Sequence, residues 1–538
     1  MQRKLRRAHY LTAGIIFGGV VFACGGDDSG SGATSSPDGG GSSSGTSSSG
    51  ASSSGSSGDS STSHVPNNAA AGVTVATDSV KACSLVSADV SISRAADESD
   101  LTDYVIYWGS DAATKIGSAI GTVSKTGGNL TFSLVNVARP TNATYILVFT
   151  KNSTGEMATG VSTTFTEVGQ YITQEIAAGQ DVNSGLQPSV AIDGAGAKLL
   201  VVTKNGQNSN KAALFRCDLN GTGCGYSDVS GGQDAESGTL PTALVDTTNN
   251  KLLVVTASGA TPKPALSVCD LNGSNCGFVD ISAGKSAGVG EELTATLDKT
   301  NSKLVVATRN GANNHPAMFR CDLSGANCAF TDVALAAFGA SGDVGHWPSV
   351  VVDEVNSKVL VVSTNLDNNS KLALFRCDLD GSNCTYTDIS AGQGTGSGYA
   401  PKALIDTLNK KLLVVTNNAA NAGKLALFRC DLNGTNCVYA DISAAQPGTS
   451  LAGNRPAAMI DPVGRKLLVA SIRFDSADRP GLWRCELDGT QCTFYDFTRA
   501  GTEGFIAAAF NPTTRSVFVS LVGTTNTGKP TFVGICGY

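Results

Sequence analysis

Four histidines are all this chain of 538 residues has, and their positions limit the chemistry open to it. His9 falls in an apolar leader and His64 at the end of a Ser/Gly tract. His315 recurs at a place where other repeats carry Lys or Arg, which leaves His346 alone among the variable loops. A histidine-based metal cluster needs more, so none is expected; no cofactor is expected either, and calcium held by loop Asp and Asn carbonyls is left open. Glu291 and Glu292 are adjacent carboxylates. Glycoside hydrolysis needs two carboxyl groups several ångströms apart across a cleft, whereas neighbouring loop residues are expected to point apart. No Gly-x-Ser-x-Gly elbow or phosphate-binding loop occurs in the folded region. What remains is a binding constellation: Glu291, Glu292, His346, Trp347, Tyr399 and Arg455, with Gln187, Leu240 and Glu503 at equivalent places. An aromatic pair, an arginine and two carboxylates on one rim suit a sugar or a peptide.

These residues are positioned by a repeat whose most regular part is Leu374-Phe-Arg-Cys-Asp-Leu-Asp-Gly-Ser-Asn-Cys-Thr-Tyr-Thr-Asp-Ile-Ser390. It reads as a β-hairpin with Asp380-Gly381 as a two-residue turn. Counting outward, Leu379 faces Ser382, Asp378 faces Asn383 and Cys377 faces Cys384, close enough for a disulfide. The same spacing pairs Cys217 with Cys224, Cys269 with Cys276, Cys321 with Cys328, Cys430 with Cys437 and Cys485 with Cys492. Twelve of the 15 cysteines are used this way, which implies an oxidising compartment and hence export. Cys24, Cys83 and Cys536 are left, and Cys83 with Cys536 is a candidate further bridge.

The full unit adds Pro-x-x-x-x-Asp, Lys-Leu-Leu-Val-Val-Thr and an Asn-rich loop, and its first cysteines recur every 51–56 residues. Four strands per unit are expected: A (Ser189–Asp193), B (Lys198–Thr203), C (Ala213–Cys217) and D (Cys224–Val229), with their equivalents. That is the content of a β-propeller blade. After six units, Phe505–Phe510, Ser516–Leu521 and Thr531–Cys536 supply A, B and C of a seventh. Its D strand is expected from Thr173–Gln180, just before the first unit. The predicted fold is all-β: a seven-bladed propeller over residues 169–538, closed by that 3+1 arrangement, so that no sheet edge is left over. The Leu-Asp-Gly-Ser-Asn turns with the following Pro, Asp and Lys-Leu are similar to the YWTD propellers of lipoprotein receptors, over the hairpin and strand A only. A cation opens every strand C (Lys211, Lys263, His315, Lys371, Lys424, Arg479, Lys529). It is expected to pair with the acid closing strand D (Asp228, Asp280, Asp332, Asp388, Asp441, Asp496, Glu175).

Residues 1–23 have a basic start and an apolar run, the anatomy of a signal peptide. The run ends Val21-Phe22-Ala23-Cys24-Gly25, which resembles a bacterial lipoprotein signal. The resemblance implies lipidation of Cys24 and anchoring to the outer membrane or cell surface. Residues 24–64 are mostly Ser and Gly, a tether with a reach of roughly 35 Å. Residues 65–168 alternate apolar and polar over six or seven short strands, a β-sandwich. The stretch Pro140–Gly155, with Tyr145-Ile-Leu-Val-Phe and the Asn152-Ser-Thr-Gly155 turn, resembles a late strand of a fibronectin type III domain. The net charge of −7 argues against a general nucleic-acid binder. The expected function is that of a monomeric, membrane-anchored module binding a protein or glycan; the alternative is a secreted carbohydrate-active enzyme, a glycoside hydrolase or lyase with carboxylates at the channel mouth.

Overall fold

A computed structural model describes residues 64–77, 85–140, 143–165, 171–233, 235–286, 288–339, 342–443, 454–473, 479–497, 502–523 and 528–535. Cys24, Cys83 and Cys536 lie outside the described residues. No helix among those described is long and apolar enough to cross a membrane.

The chain is all-β. The first part builds two sheets from β1 (Ala70–Thr77), β2 (Leu85–Ala95), β3 (Asp103–Gly109), β4 (Lys115–Ser124), β5 (Leu130–Ala138), β6 (Tyr145–Lys151) and β7 (Val161–Thr164). Their orders are β1-β2-β5 and β4-β3-β6-β7. Alternation along β2 and β3 turns Val90, Ile92, Tyr104, Ile106 and Trp108 into one shared core. The Trp108 ring meets Phe165 edge-on at 5.3 Å. Strand β1 was not expected from the sequence; its Ala-Gly-Val-Thr-Val-Ala run is short of large apolar residues.

From Leu186 onward the chain repeats one antiparallel four-stranded sheet. In the first repeat strand A is Leu186–Asp193, B Lys198–Asn205, C Lys211–Asp218 and D Gly225–Asp228. Six repeats each form such a sheet. A further one joins Thr502–Asn511, Ser516–Gly523 and Lys529–Ile535 to β8 (Tyr171–Glu175), with Thr531 opposite Glu175. This arrangement is consistent with a β-propeller. The cores lie between successive sheets rather than inside any one of them. Leu200, Val202 and Leu214 of the first repeat pack on Leu252, Val254 and Cys269 of the second. Ala507, Phe518 and Phe532 from the end of the chain pack on Leu199, Val201 and Phe215 of the first.

The hairpin differs in detail from its sequence reading. Gly381 N–H donates to Asp378 O and Asp378 N–H to Ser382 O, both at 2.9 Å, so Asp378 faces Ser382 and the loop holds three residues, not two. Gly381 has φ +86° and Asn383 φ +49°. The second left-handed residue adds one position to its strand and restores the register, so Cys377 still opposes Cys384, with Cα atoms 4.0 Å apart. Asn383 fixes that bulge by donating its side-chain amide to the Asp378 carboxylate at 2.7 Å. All six expected Cys-x6-Cys disulfides are present. Gly381 is also forced by space. A Cβ there would sit 2.2 Å from Thr331 Oγ1, because each hairpin tip rests on the preceding sheet.

Candidate functional site

Strand A begins three residues earlier than its periodicity predicts, and the reason shapes the rim. In each repeat the register against strand B shifts near its start, between Glu291 and Thr294 or between His346 and Ser349 for example. The extra residue has left-handed backbone: Gln187 (φ 49°), Leu240 (51°), Glu292 (48°), Trp347 (47°) and Ala400 (47°). Such a bulge breaks the alternation of a strand, so consecutive side chains reach the same neighbours. That corrects the expectation that Glu291 and Glu292 point apart. Arg309 bonds Glu291 Oε2 through one terminal nitrogen, and its Nε lies 3.5 Å from Glu292 Oε2. Glu292 is 5% exposed, accepts the Trp347 N–H at 2.7 Å and lies 3.4 Å from His346 Nδ1. His346 Nε2 is 2.7 Å from Asp343 Oδ1.

The same bulge places the rings of His346 and Trp347 side by side, with centroids 5.4 Å apart, although they are neighbours in sequence. Trp347 then meets Tyr399 of the next repeat, also at 5.4 Å. The Tyr399 hydroxyl accepts from Ser370 Oγ at 3.2 Å. Five of the six expected binding residues (Glu291, Glu292, His346, Trp347 and Tyr399) therefore form one continuous patch across repeats three to five. Arg455 lies on the strand Asn454–Asp461, but its side chain, like that of Glu503, is outside the described residues.

A residue that escaped the sequence reading lies beneath the patch. Lys402, at the fourth position of its strand A, is 7% exposed and lines a crevice with Glu292, Thr294, Trp347, Pro348, Ala400 and Pro401. The crevice has no space for even a water-sized sphere. Burial pushes the lysine's pKa down from its ordinary value to about 8. The signal was present in the repeat alignment, where the other described fourth positions are Ser189, Thr242, Thr294, Ser349, Ala457 and Ala507. Ser189 and Ser349 use their hydroxyls to accept N–H groups of the following strand A, from Ala243 and Ala403. Lysine at that place breaks the row.

The expected cation row is largely paired within each sheet. Lys211–Asp228 (3.7 Å), Lys263–Asp280 (3.8 Å), Lys424–Asp441 (3.3 Å), Arg479–Asp496 (3.9 Å) and Lys529–Glu175 (3.3 Å) are ion pairs, and His315 Nδ1 lies 2.9 Å from Asp332 Oδ1. Lys371 is the exception. Among the described residues it has no carboxylate within the 4.0 Å of an ion pair, and Asp388 instead accepts from Asn368 Nδ2 at 2.9 Å. A second row went unnoticed in the sequence. The lysine opening strand B faces the acid closing strand C, in Lys358–Asp378 and five further repeats. The lysine and the Asn383 amide hold the Asp378 carboxyl below the usual carboxylate range. Among the described residues no group of three or more His, Cys, Asp or Glu could hold a metal ion.

No protein-family model matches the chain, and no curated protein matches it. Among solved structures it is similar to an oligogalacturonate lyase from Vibrio parahaemolyticus. The identity is 11% and the TM-score 0.42, over 68% of this chain and 98% of that one.

Proposed function

We propose that this is an exported, lipid-anchored binding protein. Its repeats form a seven-bladed propeller that carries a ligand site on the rim made by Glu292, His346, Trp347 and Tyr399. The observation that carries the reading is the aromatic chain His346–Trp347–Tyr399, which spans two repeats and is only partly covered. Aromatic side chains present a large apolar face with little conformational freedom to lose, which is what a shallow glycan or peptide site requires. Export is supported by the basic and apolar leader ending at Cys24 and by six disulfides, which persist in oxidising compartments. The Ser/Gly tether and the sandwich of residues 65–168 would hold the rim away from the membrane. Ring closure with seven blades is supported by β8 pairing with Lys529–Ile535 and by the shared core between the last and first sheets.

Hydrolysis of a glycan would need two carboxyl groups flanking the bond to be cut. Glu291 and Glu292 instead share Arg309, which favours binding over hydrolysis. Glycan-array screening of the intact chain, followed by incubation of any hit and analysis for released product, tests the proposal. Binding without product is expected, and the double substitution Trp347→Ala with Tyr399→Ala should abolish it. Release of product would establish the enzyme reading instead, and undiminished binding by the double variant would remove the rim from the account.

A further inference from the structure

We propose that Lys402 anchors the carboxylate of an acidic sugar whose ring is carried by Trp347 and Tyr399. This rests on the rim being the ligand site and adds the class of ligand.

Among the described residues, the Lys402 ammonium has neither a hydrogen-bond partner nor an ion pair, and the residue as a whole is 7% exposed. A buried charge left alone is costly, and a methionine of similar length would avoid the cost. Glu292 is the one other ionisable residue lining the crevice, and it does not compensate. Its oxygens already face Arg309, His346 and the Trp347 N–H. The partner proposed for the lysine is an anion from outside. Trp347 and Ala400, at the head of their strands, line the crevice with Lys402. An anion carried on a flat, partly apolar ring satisfies both features: the ring lies on the Trp347–Tyr399 pair while its carboxylate reaches the lysine. A uronic acid has that build.

A second cation favours the same chemistry. Lys371, the member of the cation row without a carboxylate, directly follows Ser370, whose hydroxyl bonds the Tyr399 hydroxyl. Lys371 has no ion pair among the described residues, in a row whose other members each lie within 4.0 Å of a carboxylate. Because the crevice has no space for a water-sized sphere, its lining, which includes Trp347, must shift to admit a carboxylate. Trp108 and Trp483, the other two tryptophans, are 1% and 0% exposed, so a ligand-induced change in emission reports Trp347.

The test titrates the intact chain with triglucuronate, its methyl ester and hexa-aspartate. It follows tryptophan emission and the heat of binding in the parent, K402M and K402R, with circular dichroism confirming the fold. Triglucuronate should bind and shift the emission, with the ester weaker by about tenfold or more, the worth of one hydrogen bond to a charged group. K402M should lose that preference while binding the ester as the parent does, and K402R should keep most of it. Equal binding of acid and ester by the parent, or a preference that survives K402M, would overturn the role of Lys402. The rim reading stands in that case if Trp347→Ala with Tyr399→Ala abolishes binding of both sugars. Lys402-dependent binding of hexa-aspartate without triglucuronate overturns the sugar class, and no binding of any probe overturns the inference as a whole.

Discussion

Lys402 shows how a single residue in a repeat can be set apart by what surrounds it rather than by what it is. Burial alone holds its pKa near 8, against an ordinary value near 10.5. Between those values the unfolded chain binds the proton that the folded chain has released, so stability rises with pH across that window and the penalty is fully present below it. At neutral pH the penalty is up to roughly 3 kcal/mol. K402M is therefore expected to raise the urea midpoint at pH 7, with the gain fading as pH approaches 10.5; an unchanged midpoint at pH 7 would mean that the ammonium finds a partner in solution. At the rim, Trp347→Ala with Tyr399→Ala should cost about 1–2 kcal/mol in the same unfolding experiment, since both rings are only half-buried. Its effect on ligand binding should be far larger.

At the scale of the element, the bulge at the head of strand A and the stapled hairpin are the two devices that the first six repeats reuse. Ala400 is held at φ 47°, a conformation in which an L side chain is strained by about 1–2 kcal/mol. Ala400→Gly should accordingly stabilise the protein by about 0.5–1 kcal/mol, although glycine weakens an ordinary strand. Loss of stability on chemical denaturation would show that the backbone there is relaxed. Each disulfide closes a loop of sequence separation 7. Replacing Cys377 and Cys384 together by serine should cost about 2–2.5 kcal/mol in the chain-entropy account, while Gly381→Ala, with its Cβ forced toward Thr331, should cost more than the ordinary 1–3 kcal/mol of overpacking. Comparing the two variants by thermal unfolding separates the staple from the contact between sheets.

The molecule as a whole depends on strands distant in sequence. Ile176, just after β8, is 1% exposed in the core shared by the first and last sheets. Gly221, at the tip of the first hairpin, has Phe532 and Gln174 where a Cβ would go. A chain starting at residue 177 should thus melt markedly lower, and with a broader calorimetric transition, than one starting at residue 169. Equal transitions would show that β8 is an appendage rather than a closing strand.

The strands of the repeat, their order and the six disulfides were legible in the sequence, because apolar alternation and turn residues act over a few positions and were written out six times. The second ion-pair row was equally legible and passed over, since Lys358 and Asp378 stand in directly opposed positions. The Cys377–Cys384 pairing came out right, although the turn beyond it did not, because two offsetting left-handed residues, Gly381 and Asn383, had not been counted. What could not be read locally was the bulge at the head of strand A. No residue type marks it, as Gln187, Leu240, Glu292, Trp347 and Ala400 show, because it is imposed by packing against the neighbouring strand. That packing turned Glu291 and Glu292 onto one arginine, set Trp347 against a tyrosine more than fifty residues away, and buried Lys402 beneath them. Each of these follows from which strands adjoin, a property of the assembled sheets that no stretch of chain carries alone.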